Sequence, residues 1–108
     1  MTARMKQLLS FEENDPNDPF IQFAIAKEHE KSNELEAALE RYNTLRISHP
    51  DYIGLYYHLA KLYETLQRKH KAIFIYEEGL KLAKSTSDFH AASELNNAKM
   101  NLELEIDD

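Results

Sequence analysis

The chain has 108 residues, of which 43% are hydrophobic and only two are glycine, which favours one compact helical domain over a disordered segment. It has no cysteine, which excludes disulfides and fits a reducing compartment, and no apolar run near the ~20 residues of a membrane span, so we expect a cytoplasmic protein without a membrane partner. A formal net charge of −6 argues against a nucleic-acid partner, because such binders usually carry a basic face.

Helix breakers divide the chain into six predicted helices. Asp18 and Pro19 have the residue types of an N-cap and a first helical position. Asn33 to Glu36 has the spacing of a capping box that would open the third helix. Asn33 and Gln67 also lie at the hairpin turns, where a left-handed residue is often needed, and Gln67 should cost about 1 kcal/mol there. The predicted helices cover residues 3–13, 19–31, 35–47, 53–66, 69–83 and 89–106.

A group of residues recurs 34 positions later in the chain. Its members are small or apolar at fixed points: Ile25, Ala26, Ala38, Leu39 and Tyr42 return as Leu59, Ala60, Ala72, Ile73 and Tyr76. A period of this length without strand-like alternation is typical of stacked helical hairpins.

The residues around Tyr56, Leu59, Ala60 and Tyr63, followed by Ala72 and Tyr76, resemble the tetratricopeptide repeat. The resemblance covers nearly the whole chain and implies an all-α, right-handed helical-hairpin solenoid. Its predicted organisation is a single domain, 1–108, with an N-terminal half repeat (3–13), repeat one (19–52), repeat two (53–86) and a closing helix (88–106). Close packing explains the small residues: larger side chains at Ala26, Ala38, Ala60 and Ala72 would force helix axes apart.

In this family the first helix of each hairpin lines a concave groove that binds a peptide or protein. Carried over by position, the predicted groove residues are Phe20, Phe23, Lys27, Tyr57, His58, Lys61 and Glu64. Aromatic rings beside lysines would suit an extended peptide with an apolar side chain and a carboxylate. Alternatively, Phe20 and Phe23 pack on the N-terminal helix. A chaperone-tail adaptor is not expected, because Asp88 replaces a cation of that subtype.

Nothing in the sequence indicates an enzyme. The five histidines, at 29, 49, 58, 70 and 90, include no pair three or four residues apart, and there is no glycine-rich phosphate loop or activated nucleophile. We expect no catalytic, metal or cofactor site.

The last predicted helix has two apolar stripes. Ala91, Leu95, Ala98, Leu102 and Ile106 form the stripe expected to pack on the fifth helix, while Phe89, Met100 and Leu104 gather on the opposite side. A closing helix should be polar there. The sequence thus leaves two hypotheses: an interaction module that binds a protein or peptide in its groove, or a homo-oligomeric element, such as a homodimer, that associates through this helix.

Overall fold

The computed structural model describes residues 1–107, and Asp108 lies outside the described residues. This part of the chain contains six α-helices and no strand, which confirms the predicted all-α fold. The helices are α1 (Ala3–Asn14), α2 (Pro19–Lys31), α3 (Leu35–Ser48), α4 (Gly54–Thr65), α5 (Lys69–Ser85) and α6 (Phe89–Asp107). They form two compact units, residues 1–52 with α1 to α3 and a second unit that begins at Ile53 with α4 to α6.

The first two helices begin at capping side chains. Thr2 accepts a hydrogen bond from the backbone N–H of Met5 at 2.9 Å, and Asp18 accepts one from Phe20 at the same distance. Pro19 follows Asp18 as the first helical residue, where its missing N–H leaves no bond unmade. The predicted start of α2 is therefore confirmed.

Three helices end in the same hydrogen-bonded turn. Asn33, Gln67 and Ser87 all have positive φ, near 60°. In each turn the next residue's N–H bonds to the carbonyl five residues earlier, as from Arg68 to Tyr63 at 2.8 Å, which is the Schellman pattern. The predicted capping box at Asn33 is wrong: Asn33 adopts the left-handed conformation that ends α2, and Glu34 precedes α3 without a side-chain cap.

In the first unit, α2 packs against both α1 and α3. Its contact with α1 is a cluster of Met5, Leu8 and Ile25. An ion pair of 2.6 Å between Arg41 of α3 and Glu12 of α1 adds a polar contact to this apolar packing. Ala26 and Ala38 are fully buried, as close helix packing requires.

In the second unit, α5 packs against both α4 and α6. Gly79 makes this arrangement possible, because a Cβ atom there would lie 2.7 Å from Tyr56 Cβ and 3.0 Å from Leu95 Cδ1. Both distances are too short for ordinary contact. Gly79 is therefore required by close approach of the neighbouring helices rather than by its backbone conformation, since no glycine in the described chain has positive φ.

Candidate functional site

An aromatic side chain and a lysine one turn later recur on the first helix of each hairpin. In α2, Lys27 Nζ lies 5.7 Å from the centroid of the Phe23 ring, and in α4, Lys61 Nζ lies 5.7 Å from the centroid of Tyr57. The spacing of four residues places each pair on one helix face, within range of a cation–π interaction. Both lysines are exposed. Four of the seven predicted groove residues thus form two equivalent pairs.

The two predicted groove phenylalanines have different surroundings. Phe20 is 66% exposed. Phe23 is half-buried, with its ring centroid 5.4 Å from that of Tyr52 and 6.0 Å from that of Tyr42. The apolar residues that α2 contributes to the α1 cluster are instead Ile21, Ala24 and Ile25. Neither phenylalanine is among the residues of this α1 cluster.

A second relationship repeats with the same 34-residue offset. The hydroxyl of Tyr42 donates a hydrogen bond to the carboxylate of Glu30, and the hydroxyl of Tyr76 donates one to Glu64. Burial, followed by the bonded carboxylate, raises the pKa of each tyrosine well above its ordinary value. Both hydroxyls are thus held in the protonated, donating state.

Glu64 has a structural partner as well as a predicted groove position. Besides accepting from Tyr76, its carboxylate lies 3.7 Å from Lys61 Nζ. Glu64 therefore offsets part of the charge of Lys61 locally. Sequence spacing predicted the helix face on which Glu64 lies. It could not show which side chains contact the Glu64 carboxylate.

A cleft of about 230 Å³ lies in the second unit beside this aromatic–lysine pair. Two predicted groove residues, Tyr57 and His58, line it, and their rings are in edge contact at 5.7 Å between centroids. The other lining residues are Ile53, Gly54, Asp88, His90, Ala91, Glu94 and Leu95. The cleft thus combines residues of α4 with residues from the beginning of α6.

His90 and Glu94 were not predicted as site residues. They lie four positions apart and therefore share a face of α6, which is the sequence signal that could have found them. Asp88 precedes them and accepts a hydrogen bond from the Ala91 N–H at 3.0 Å. Both carboxylates lining the cleft come from this segment, which follows the second repeat.

The outward face of α6 carries large apolar side chains. Phe89 is 79% exposed, Met100 53% and Leu104 66%, whereas Leu95 and Leu102 on the other face are buried. The exposed and buried apolar residues of α6 therefore correspond to the two stripes predicted from the sequence. Asn96 lies on the exposed face and its amide contacts Met100 Sδ at 3.4 Å.

Within residues 1–107, no helix is both long and apolar enough to cross a membrane. No group of three or more histidine and acidic side chains in the same residues has the arrangement of a metal site.

Residues 53–86 match the sequence profile of the tetratricopeptide repeat. A tetratricopeptide repeat domain protein from Salinibacter ruber, whose structure was solved by NMR, is 43% identical over 82% of this chain and 90% of its own, with a TM-score of 0.79. The chain belongs to the tetratricopeptide repeat family. Tetratricopeptide repeats are typically a non-enzymatic protein-interaction fold.

Two more distant tetratricopeptide-like structures share the fold. The type III secretion translocator chaperone SycD of Yersinia enterocolitica is 10% identical, with 96% of this chain and 72% of SycD covered at a TM-score of 0.86. PcrH, solved in complex with the chaperone-binding region of PopD, is 14% identical, with 94% and 77% covered at a TM-score of 0.83. No curated protein sequence matched the chain.

Proposed function

We propose that this protein is a non-catalytic interaction module that binds a peptide or protein segment through the first-helix faces of its hairpins. The observation that carries the proposal is the repeated pair of an aromatic ring and a lysine, Phe23 with Lys27 and Tyr57 with Lys61. Half-buried rings beside exposed lysines can provide both apolar contact and charge to a ligand. The family gives the same class of function, and PcrH offers an example of a related fold bound to a protein segment.

In the second unit, the proposed binding face of α4 lies beside a cleft. Tyr57 and His58 line the cleft beside α6, and a cleft desolvates a ligand side chain more completely than a flat helix face does. The first unit contributes Phe20, the most exposed aromatic residue of α2, as a further apolar contact. We expect the ligand to be an extended segment, because each pair lies along one helix face rather than in an enclosed pocket.

The test is selection of a random dodecapeptide display library on the full chain, followed by affinity measurement on variants. Replacing Tyr57 and Lys61 together by Ala should weaken the selected peptides by at least about tenfold, because it removes an aromatic anchor and a cation. The matched control replaces Phe74 and Lys81, an exposed aromatic residue and an exposed lysine of α5, by Ala. Equal loss in both variants, or no peptide selected, would reject this function.

A second candidate function is self-association through α6. The exposed face of this helix between Phe89 and Leu104 has neutral residues at its centre, Ser93, Asn96, Asn97 and Met100. If two copies pair antiparallel about the midpoint of Asn96 and Asn97, Phe89 lies opposite Leu104 of the second copy. Amide side chains, which both donate and accept, then face each other at the centre. The face is thus self-complementary, as a two-fold interface requires.

Light scattering after size exclusion, over a wide range of protein concentrations, tests this second function. We expect a dimer that Leu104→Glu converts to a monomer, because the variant places a charge in the apolar contact. Ile47→Glu is the control, since Ile47 is an equally exposed apolar residue on α3. A monomer at every concentration, or equal dissociation by both variants, would reject self-association through this face.

A further inference from the structure

The cleft beside Tyr57 has features of a side-chain subsite. Its lining includes the apolar side chains of Ile53, Ala91 and Leu95. Its volume of about 230 Å³ is below the 300–1,000 Å³ typical of small-molecule pockets, so it suits one side chain rather than a whole cofactor.

The charges around the cleft are predominantly negative. Asp88 and Glu94 line it, and no lysine or arginine is among its lining residues in the described chain. Lys61, the nearest cation on α4 by sequence, lies beside Tyr57 and 3.7 Å from the Glu64 carboxylate, which offsets its charge. A cationic ligand group would therefore meet carboxylates of complementary charge, and an anionic group would meet like charge.

Asp88 can accept more than its helix-capping bond. One oxygen, Oδ1, accepts from the Ala91 N–H at 3.0 Å. A carboxylate has two oxygens and about four acceptor positions, so the same side chain can cap α6 and receive a ligand donor. Glu94 is exposed and lies less than two turns further along the helix.

We propose that this cleft binds a lysine or arginine side chain of the peptide ligand, with the aliphatic stem against Leu95 and Tyr57 and the cationic head at Asp88 and Glu94. The inference rests on the proposed function and names the ligand chemistry at one of its subsites. A long side chain with an apolar stem and a charged end matches both the apolar and the acidic residues that line the cleft. The sequence-based expectation of a ligand carboxylate rested on the lysines of the first helices and did not include Glu94.

The experiment uses the peptides selected on the full chain and lost in the Tyr57→Ala variant. We expect these peptides to share a lysine or arginine at one position, and its replacement by glutamine to weaken binding by about tenfold or more, as for a lost charge-assisted hydrogen bond. The protein variant Asp88→Asn/Glu94→Gln should weaken the parent peptide similarly. Asn is as good an N-cap as Asp, so this variant keeps the cap of α6.

A double-mutant cycle then assigns the contact. If the basic side chain occupies the cleft, changing both the peptide and the two carboxylates should cost little more than changing either one. Glu40→Gln/Glu77→Gln is the charge-matched control, because both residues are exposed and neither lines the cleft. It should change affinity by less than about twofold, as expected for distant, screened surface charges.

The results distinguish failure of the basic subsite from failure of the proposed interaction function. Peptides that depend on Tyr57 but share no basic residue, or that lose equal affinity with both carboxylate double variants, would overturn the basic subsite and leave the proposed function intact. If no peptide depends on Tyr57, both the interaction function at this face and the subsite are rejected.

Discussion

The hydroxyl of Tyr76 in α5 donates a hydrogen bond to the carboxylate of Glu64 in α4, and Tyr42 donates the same bond to Glu30. Each bond joins the two helices of one hairpin at a point where the tyrosine ring is fully buried. The carboxylate stands on the first helix, only three residues after the lysine of the aromatic–lysine pair. In the second hairpin the same carboxylate therefore joins the two helices and pairs with a lysine of the candidate binding face.

Removing one hydroxyl should destabilise its hairpin. Tyr76→Phe retains the buried ring but leaves the half-buried Glu64 carboxylate without this donor, at a cost of about 1–2 kcal/mol in the free energy of unfolding. Chemical denaturation at neutral pH measures the change. Tyr42→Phe should have a similar cost through Glu30, and unchanged stability in both variants would show that water replaces the tyrosine donor fully.

The same tyrosines predict how stability depends on alkaline pH. Because their pKa is raised in the folded state, folding keeps them protonated while the unfolded chain ionises them above about pH 10. Below pH 10 these groups cause no change in stability. Above it each should lower the free energy of unfolding by about 1.4 kcal/mol per pH unit. Denaturation between pH 8 and about 12 should show this loss, and the Tyr42→Phe/Tyr76→Phe variant should show a shallower slope. An identical slope would contradict the prediction.

Gly79→Ala should destabilise the second unit. Alanine favours a helix by about 1 kcal/mol over glycine, but the new Cβ would meet Tyr56 Cβ at 2.7 Å, an atom next to the backbone that cannot rotate away. Overpacking costs about 1–3 kcal/mol, so the steric effect should exceed the gain in propensity. Gly54→Ala is the matched control. Gly54 is exposed at the first position of α4, so this variant should be neutral or stabilising in thermal unfolding.

Glycine at the left-handed turn positions should stabilise the protein. Gln67 and Ser87 hold φ near 60°, which costs a residue with a Cβ about 1 kcal/mol, whereas glycine adopts it freely. Gln67→Gly and Ser87→Gly should each raise the free energy of unfolding by roughly 0.5–1 kcal/mol. Asn33→Gly is the comparison and should gain less, because asparagine tolerates this conformation. A loss of stability on Gln67→Gly would mean that the Gln67 side chain makes a more valuable contact.

Substitutions of the two phenylalanines of α2 should differ in their effect on stability. Phe23→Ala removes a half-buried ring that contacts Tyr42 and Tyr52 and should cost about 2 kcal/mol of stability. Phe20 is mostly exposed, so Phe20→Ala should change stability by less than about 0.5 kcal/mol. Phe20 is thus the better residue for testing ligand affinity in the first unit. A large loss of stability on Phe20→Ala would contradict its exposed position.

The helices could be predicted because their determinants are local. Asp18 and Pro19 define one helix start by side-chain chemistry alone, and the predicted ends lie within two residues of those observed. The small residues at Ala26 and Ala38 similarly predicted where helices pack closely. The sequence placed Asn33 both in a capping box and at a left-handed turn position, because asparagine suits either, and the backbone angles bear out only the turn.

The candidate site was less predictable because it depends on contacts distant in sequence. Repeat position placed Tyr57 and Lys61 on one face, but it could not show that Glu64 would accept the hydroxyl of Tyr76. Predicting the cleft would also have required the packing of α6 in the second unit, because only this packing brings Asp88 and Glu94 to the cleft. Hydrophobic periodicity predicts which side of such a helix is buried. It does not predict which polar residues of the helix line a neighbouring cleft.

Gly79 also limits how the two hairpins could be exchanged. The residue 34 positions earlier is Leu45, which is fully buried, so equivalent places in the two second helices hold side chains of very different size. A chimeric chain in which α5 carried the α3 sequence would put leucine where only a hydrogen atom fits against Tyr56 and Leu95. It would then displace α6, and the wall of the cleft that α6 supplies would be lost with it. The two hairpins share a 34-residue repeat pattern, but their second helices cannot be exchanged.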